Sequence, residues 1–170
     1  QAYSGTIDNA VVVAGDISDH AFEIDGPEGA LTGSFTLKNV TIFGSATAPN
    51  GEYADYRSGA MGATENIYAT GFQDGKDVEL DANDVSQNYL DDLLTFSAWE
   101  VTGFDNSIFV EKVAKDDNDV EIESEIILNP SFTERAAEWT TQVDQGANTV
   151  GATLSNFSWT YANSKAGLGF

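Results

Sequence analysis

Alternation of apolar and polar residues runs through most of the chain and predicts β-strands. It is clearest over residues 116–128, where Val120, Ile122 and Ile126 share one parity and carboxylates occupy the other. Because successive side chains of a strand point to opposite faces, such a segment buries an aliphatic stripe and exposes a row of carboxylates. Together with the β-rich run at residues 108–113, it predicts a hairpin with an acidic tip.

Three further segments predict strands. Residues 31–43 form a long run in which the apolar positions change parity at Lys38 and Asn39, which indicates a β-bulge or a strand that crosses between sheets. Residues 150–161 predict a last strand that carries aromatic side chains on one face. A short β-branched run near the N-terminus predicts a first strand made of Ala10, Val11, Val12, Val13 and Ala14.

A single helix is predicted over residues 131–143. Pro130 precedes it, and Ser131 with Glu134 three positions later forms a capping box. Phe132 and Trp139 lie on its apolar side, and Gly146 is expected to end it.

The fold class follows from this count of elements. With no internal repeat and no linker found, residues 1–170 are expected to form one all-β domain, an antiparallel β-sandwich of jelly-roll or Ig-like type with one short helix. The first strand is interpreted as an ordinary strand of the sheet. The alternative, if the protein polymerises, is that residues 1–14 are an exchangeable strand that adds to the sheet edge of a neighbouring copy.

Charge narrows the range of partners. Seven basic and 28 acidic residues give a net charge of −21, which repels nucleic acid and favours divalent cations. No segment is apolar enough to span a membrane, and the chain begins at Gln1 without a basic or apolar leader, as a mature exported chain would. We therefore expect a secreted or surface-exposed protein.

Calcium is the cofactor that this composition favours. The ion takes six to eight oxygen ligands, mainly from carboxylates, Asn side chains and backbone carbonyls. Two acidic clusters supply such groups. The first lies at the predicted hairpin tip and contains Asp116, Asp117, Asn118 and Asp119. The second lies in a polar segment and contains Asp81, Asn83, Asp84, Asp91 and Asp92.

Candidate catalytic groups are few. Cysteine is absent and His20 is the single histidine, which disfavours nucleophilic catalysis and zinc or copper sites, and we interpret His20 as a surface residue in a turn. The alternating Asp119, Glu121 and Glu123 resemble the Glu-x-Asp-x-Glu strand of the family 16 laminarinase-type β-glucanases. That resemblance implies a nucleophile and an acid at the two outer positions. Any acidic amphipathic strand presents the same alternation, so we predict that the protein is not an enzyme.

The function predicted from these features is structural. We expect an extracellular subunit that assembles with itself into a surface filament, matrix or coat, with calcium as a stabilising ion. A carbohydrate-binding or adhesive module is an alternative, because aromatic side chains in alternation can stack on sugar rings. A virion coat or tail component is a further alternative. The candidate glycan platform consists of Phe157, Trp159 and Tyr161.

Overall fold

The strands of this protein alternate between two sheets, and every strand pair is parallel. The computed structural model describes residues 4–27, 32–47, 51–112, 118, 120 and 126–166. Within them, odd-numbered strands form one sheet and even-numbered strands the other. Each turn of the chain therefore adds one strand to each sheet and stacks on the turn before it. The architecture is a parallel β-helix.

The bounds of the elements define the coils. The first sheet contains β1 (Gly5–Val13), β3 (Phe35–Phe43), β5 (Gly62–Thr70), β7 (Leu94–Thr102) and β9 (Thr140–Val143). The second sheet contains β2 (His20–Asp25), β4 (Glu52–Arg57), β6 (Val78–Asp81) and β8 (Phe109–Lys112). The helical elements are α1 (Asn83–Leu90), α2 (Phe132–Ala136), α3 (Tyr161–Ala166) and two 3₁₀ turns at Asn106–Ile108 and Leu154–Phe157. None of these helices has the length and apolar character needed to cross a membrane.

The predicted antiparallel sandwich is wrong. All seven strand pairings in the described residues run parallel, from β1 with β3 through β7 with β9. The reason for the error is physical: a side-chain period of two belongs to any strand and is the same in parallel and antiparallel sheets. Alternation therefore predicted the strands and gave no information about their direction.

A repeated bend marks the strands of the first sheet. Asn9, Asn39, Asn66 and Ala98 have φ angles of 62°, 55°, 55° and 52°, each in the middle of a strand. Asn adopts this left-handed conformation more readily than most residues. The irregularity predicted at Asn39 is confirmed, but it is a bend shared by successive coils. The sequence therefore does contain a repeat, contrary to the expectation that none is present.

The hydrophobic core fills the space between the two sheets. Val40, Ile42 and Ile67 of the first sheet face Tyr56 and Leu80 of the second, and all five are fully buried. In β3 to β8 apolar positions are buried in this way, because both sheets wrap around one interior. Burial of this surface is the main driving force for stacking the coils.

Aromatic side chains close the C-terminal end of the core. Phe132 at the start of α2 is fully buried and packs edge-to-face on Phe109, with ring centroids 5.6 Å apart. Trp139 lies against the same Phe109 ring at 4.6 Å. The capping box of Ser131 and Glu134 is confirmed, but the helix ends at Ala136, and residues 140–143 of the predicted helix form β9 instead.

The segment after β9 crosses the outer face of the first sheet. We call residues 144–153 the C-terminal strap. Thr149 donates from its backbone N–H and its Oγ1 to the Glu100 carboxylate, each at 2.6 Å. Ala152 donates to Thr41 Oγ1 at 3.0 Å, and Thr153 donates to Asn9 Oδ1 at 2.6 Å. The strap thus runs back from β7 to β1 and ties the last coils to the first.

Two other predicted elements are corrected. Residues 150–161, expected to be a strand, form the end of the strap, a 3₁₀ turn and tight turns before α3. The polar segment at residues 81–92 contains α1. Most of the predicted acidic hairpin lies outside the described residues. Of its first strand, Phe109–Lys112 is present as β8.

Candidate metal centre

The outer face of the second sheet gathers acidic side chains from three successive coils. His20 in β2 lies opposite Glu52 in β4, and Asp55 in β4 lies opposite Glu79 in β6. Asp77 immediately precedes β6. Neighbouring strands are about 4.8 Å apart, so side chains in register stack directly on one another. We call these five residues the acidic face.

Alternation along the strands places Asp55 and Glu79 outside the core, whereas His20 and Glu52 are the first residues of β2 and β4. Ala54 and Val78 are fully buried between the sheets, and their neighbours Asp55 and Glu79 therefore point to the opposite side. Asp55 nevertheless has only 2 % of its surface exposed. It stands in a middle coil, with charged side chains from the coils on either side.

Three residues of the acidic face have metal-ligand geometry. His20, Glu52 and Glu79 each place one ligand atom within 4.8 Å of the others. His20 Nε2 lies 3.3 Å from Glu52 Oε2, and its Nδ1 lies 3.6 Å from Asp19 Oδ2. Lys112 Nζ approaches Glu79 Oε2 to 2.6 Å.

Asp55 carries a carboxyl group that is unsatisfied in this arrangement. Its Oδ1 is buried and has no hydrogen-bond partner within the described part of the chain. Burial raises the pKa of Asp55 to about 6, and the charges of Asp81 and Glu79 add to the effect, against the opposing charge of Lys112. A buried ionised carboxylate without a partner is costly, so this group favours a proton or a cation beside it.

Asp77 is perturbed for the same reasons. Burial raises its pKa to about 7, with further contributions from the charges of Glu79 and Glu52 and from a hydrogen bond with Glu52. Its Oδ1 is also buried and unpaired among the residues that the structure describes. The acidic face therefore contains two carboxyl groups with raised pKa values besides the three potential ligands.

Lys112 offsets part of this negative charge. Burial lowers its pKa, but the hydrogen bond and charge of Glu79 outweigh that effect and leave the pKa above its usual value. One ammonium group cannot neutralise four carboxylates. The arrangement matches the chemistry of a divalent cation site, with oxygen ligands from carboxylates and a nitrogen ligand from imidazole.

The residues of the two predicted calcium clusters are not those of the acidic face. At the predicted hairpin tip, Asp116, Asp117 and Asp119 lie outside the described residues. In the second cluster, Asp81 ends β6 near the acidic face, whereas Asn83 and Asp84 belong to α1. The eight residues of α1 span about 12 Å and separate Asp81 from Asp91 and Asp92, so the structure does not gather this cluster at one point.

Other predicted sites are also placed by the structure. Residues 10–13 of the proposed assembly strand form the second half of β1, the edge strand of the first sheet, and Ala14 follows it. Trp159 and Tyr161 of the proposed glycan platform are exposed, whereas Phe157 is half-buried in a 3₁₀ turn. Asp119, Glu121 and Glu123, which resemble the β-glucanase strand, lie outside the described residues.

Sequence analysis missed the acidic face. His20 was expected in a surface turn, but it begins β2 and is largely buried at its side chain. The five residues are spread over 60 positions of sequence and meet only because successive coils stack in register. A signal was present in the polar residues next to buried ones at the same place in each coil, for example Asp55 after Ala54 and Glu79 after Val78.

Comparison with known proteins agrees with the architecture. The model of the pectate-lyase-like β-helix domain family matches residues 1–159, and the chain belongs to this family. No curated protein and no solved structure matches the chain. Family membership corrects the predicted sandwich independently of the strand pairings. The prediction that the protein is not an enzyme stays a prediction.

Proposed function

We propose that the acidic face binds a divalent cation and, through it, an acidic polysaccharide. One observation carries the proposal: three ligand atoms of His20, Glu52 and Glu79 lie within 4.8 Å of one another. The buried carboxyl groups of Asp55 and Asp77, each with an Oδ1 that has no partner among the described residues, belong to or adjoin the same strands. A cation bound there would offset part of the negative charge that surrounds both carboxyl groups. It would thereby oppose the charge repulsion that adds to the effect of burial on the pKa values of Asp55 and Asp77.

The charge of the protein supports a role for the cation in binding an acidic polysaccharide. The family takes its name from pectate lyase, and pectate is a polyanion. A chain with a net charge of −21 repels a polyanion unless positive charge is placed between them. A divalent cation bound by protein carboxylates keeps coordination positions for a carboxylate of the polysaccharide. The bridge therefore reconciles an acidic protein with an acidic ligand.

Two basic side chains on the same sheet extend this surface. Arg57 in β4 lies two residues after Asp55 and is in register with Asp81 of β6, which lies two residues after Glu79. Lys112 in β8 is in register with the same Asp81. Lys112 also lines a hollow formed with Asn83, Glu111 and Ile126. A polysaccharide that crosses the coils along this face would meet the cation first and these two basic groups next.

The ligand set of the acidic face is compatible with two classes of divalent cation. Calcium, the cation expected from the sequence, prefers six to eight oxygen ligands. An imidazole nitrogen suits a transition metal such as Mn²⁺ or Zn²⁺ better. The acidic face offers four carboxylates and one imidazole, so both classes belong in any binding experiment.

Retention on an acidic polysaccharide tests the function. We expect the protein to be retained on immobilised polygalacturonate when Ca²⁺ or Mn²⁺ is present and released by chelator. Glu52→Gln and Glu79→Gln should abolish retention, because each removes one ligand charge. Glu138→Gln is the matched control, since Glu138 is exposed near the C-terminal end of the coil and outside the acidic face.

The same experiment can contradict the proposal. Retention that survives chelator, or that persists in Glu52→Gln and Glu79→Gln, would show that the acidic face is not the binding site. Release of unsaturated sugar products during the assay, detected by ultraviolet absorbance, would show that the protein is a lyase and would overturn the prediction that it is not an enzyme.

Self-assembly is the second candidate function, and one observation favours it. Within the part of the chain that the structure describes, a cavity of about 240 Å³ lies at the first coil, and its lining includes the apolar side chains of Ile7, Phe22 and Phe35. The strands β1 and β2 each end their sheet, so among the described residues each keeps one edge without a neighbouring strand. A second copy seated on this end would cover the cavity and pair both edges.

Sedimentation and electron microscopy test this candidate. We expect assemblies at neutral pH that dissociate in Ile7→Glu, because Ile7 lines the cavity. Ile17→Glu is the control, since Ile17 is an exposed apolar residue that does not line it. Dispersed monomers of the unaltered protein would contradict assembly.

A further inference from the structure

The C-terminal part of the chain contains a long uncharged stretch. Residues 145–164 include no Asp, Glu, Lys or Arg, although the chain has 28 acidic residues among its 170. The polar side chains in this stretch are hydroxyls and amides. A surface built from them differs in chemistry from the rest of this strongly acidic protein.

The end of this stretch is a compact and well-bonded unit. We call residues 154–164 the aromatic knob. Its turns are closed by backbone bonds from Thr160 N to Phe157 O at 3.0 Å and from Ser164 N to Thr160 O at 3.2 Å. Asn163 Nδ2 donates to Ser158 O at 3.0 Å. The preceding Thr153 ties the knob to the first coil through Asn9.

Two aromatic rings project from the knob. Trp159 is 83 % exposed and Tyr161 is 76 % exposed. The indole N–H of Trp159 donates to the backbone oxygen of Asn156 at 2.9 Å, which fixes the ring by its polar edge. Most of the Trp159 surface is therefore available for contact, and the hydrogen-bonding requirement of its indole N–H is already met. Such exposure of large aromatic surface has no stabilising role in the isolated fold.

We propose that Trp159 and Tyr161 form a stacking surface for the rings of an uncharged glycan. A pyranose presents apolar faces and a rim of hydroxyl groups. The indole face can stack on the apolar face of the sugar ring. The exposed neutral side chains of Ser155, Asn156 and Ser158 can hydrogen-bond to its hydroxyl groups. No charge lies within the knob to attract an ionic ligand. The surface is separate from the acidic face and needs no cation.

Affinity electrophoresis through gels that contain neutral polysaccharides tests this inference. A panel of hydroxyethylcellulose, galactomannan and xylan covers the common backbone geometries. We expect at least one of them to retard the protein, and Trp159→Ala to weaken the retardation by about tenfold or more. Trp159→Phe should keep part of it, because a smaller ring still stacks. Ile17→Ala is the matched control, since Ile17 is 99 % exposed and lies outside the knob.

The outcomes separate this inference from the proposed function. Retardation should be unchanged by chelator and by Glu52→Gln, both of which act on the acidic face. Equal mobility of the protein in all neutral gels and in a gel without polysaccharide would overturn the inference. So would full retardation of Trp159→Ala. The other possibility is that the rings contact a second copy of the protein, and sedimentation of the unaltered protein and of Trp159→Ala tests it. A self-association that depends on Trp159 would show such a contact and overturn the inference.

Discussion

The side-chain amide of Asn66 donates to the side-chain oxygen of Asn39 at 3.1 Å. Asn39 in turn donates through its own amide to Asp8 Oδ1 at 2.7 Å. The two asparagines occupy the same bend in successive coils, where each has a positive φ. This ladder satisfies polar groups along the helix axis and sets the register of the first sheet.

Loss of the ladder should destabilise the fold, and two variants separate the effect of the lost hydrogen bonds from that of backbone strain. Asn39→Ala removes both hydrogen bonds and places alanine, which adopts the left-handed conformation less readily than asparagine, at a φ of 55°. Asn39→Gly removes the same bonds without the backbone strain. We expect each to lower the free energy of unfolding by about 1–3 kcal/mol, with Ala the more severe. Equal stability of the unaltered and Gly proteins in urea would show that the ladder contributes nothing.

Docking of the C-terminal strap should depend on Gly151. A β-carbon there would lie 2.7 Å from Thr41 Oγ1 and 2.9 Å from Tyr68 Cβ, at a φ of +110°. We expect Gly151→Ala to loosen the strap and to make residues 144–157 susceptible to limited proteolysis. Gly103→Ala is the control, because Gly103 has a φ of +86° and no atom within 4 Å of the added carbon. Equal cleavage of the two variants would mean that backbone strain alone is responsible.

The stability of the cation-free protein should rise as the pH falls. Asp55 and Asp77 have pKa values of about 6 and about 7 in the folded chain, above the usual aspartate pKa of 3.8. Between about pH 4 and pH 7 the folded state therefore holds more protons than the unfolded state, and acidification stabilises it. We expect a higher denaturation midpoint in chelator at about pH 5 than at about pH 8.

Acidification also stabilises the folded state by reducing the net negative charge of the protein. A variant is therefore needed to isolate the contribution of the two buried carboxyl groups. Asp77→Asn keeps the shape of the side chain and cannot titrate. It should be more stable than the unaltered protein at neutral pH and should show a smaller pH dependence. An unchanged pH dependence in both Asp77→Asn and Asp55→Asn would show that the two buried carboxyl groups are not its source.

Lys112 should compete with the cation for Glu79. Its ammonium group lies 2.6 Å from Glu79 Oε2, where a cation would also bind. We expect Lys112→Met to raise the affinity for a divalent cation several-fold, which corresponds to roughly 1 kcal/mol for a partly exposed ion pair. Lys38→Met is the control, because Lys38 is similarly exposed and pairs with Asp8 on the first sheet. A lower affinity in Lys112→Met would indicate that Lys112 organises the site.

Much of the strand content could be predicted from the sequence, but the way the strands are joined could not. The alternation around Val40 and Ile42 correctly indicated a strand with one apolar side, and the parity change at Asn39 correctly located a bend. Direction and sheet order depend on contacts between coils that are far apart in sequence. The recurrence of Asn9, Asn39 and Asn66 before aliphatic runs was the available signal for a repeat.

The acidic face was harder to predict for a related reason. Acidic residues are so common in this chain that local density points to Asp91 and Asp92 as readily as to Asp55. What distinguishes Asp55 is burial beside stacked charges, and that arises only when the coils are in register. Local clusters therefore gave a plausible calcium prediction at other places.

Calorimetric titration of the chelator-treated protein at neutral pH tests the central claim most directly. With Ca²⁺ and Mn²⁺ as separate titrants, we predict one cation per chain for at least one of them. We also predict that Glu52→Gln and Glu79→Gln reduce the affinity by at least about tenfold, while Glu138→Gln leaves it unchanged. Absence of binding for both cations, or equal affinity in all three variants, would contradict a cation site on the acidic face.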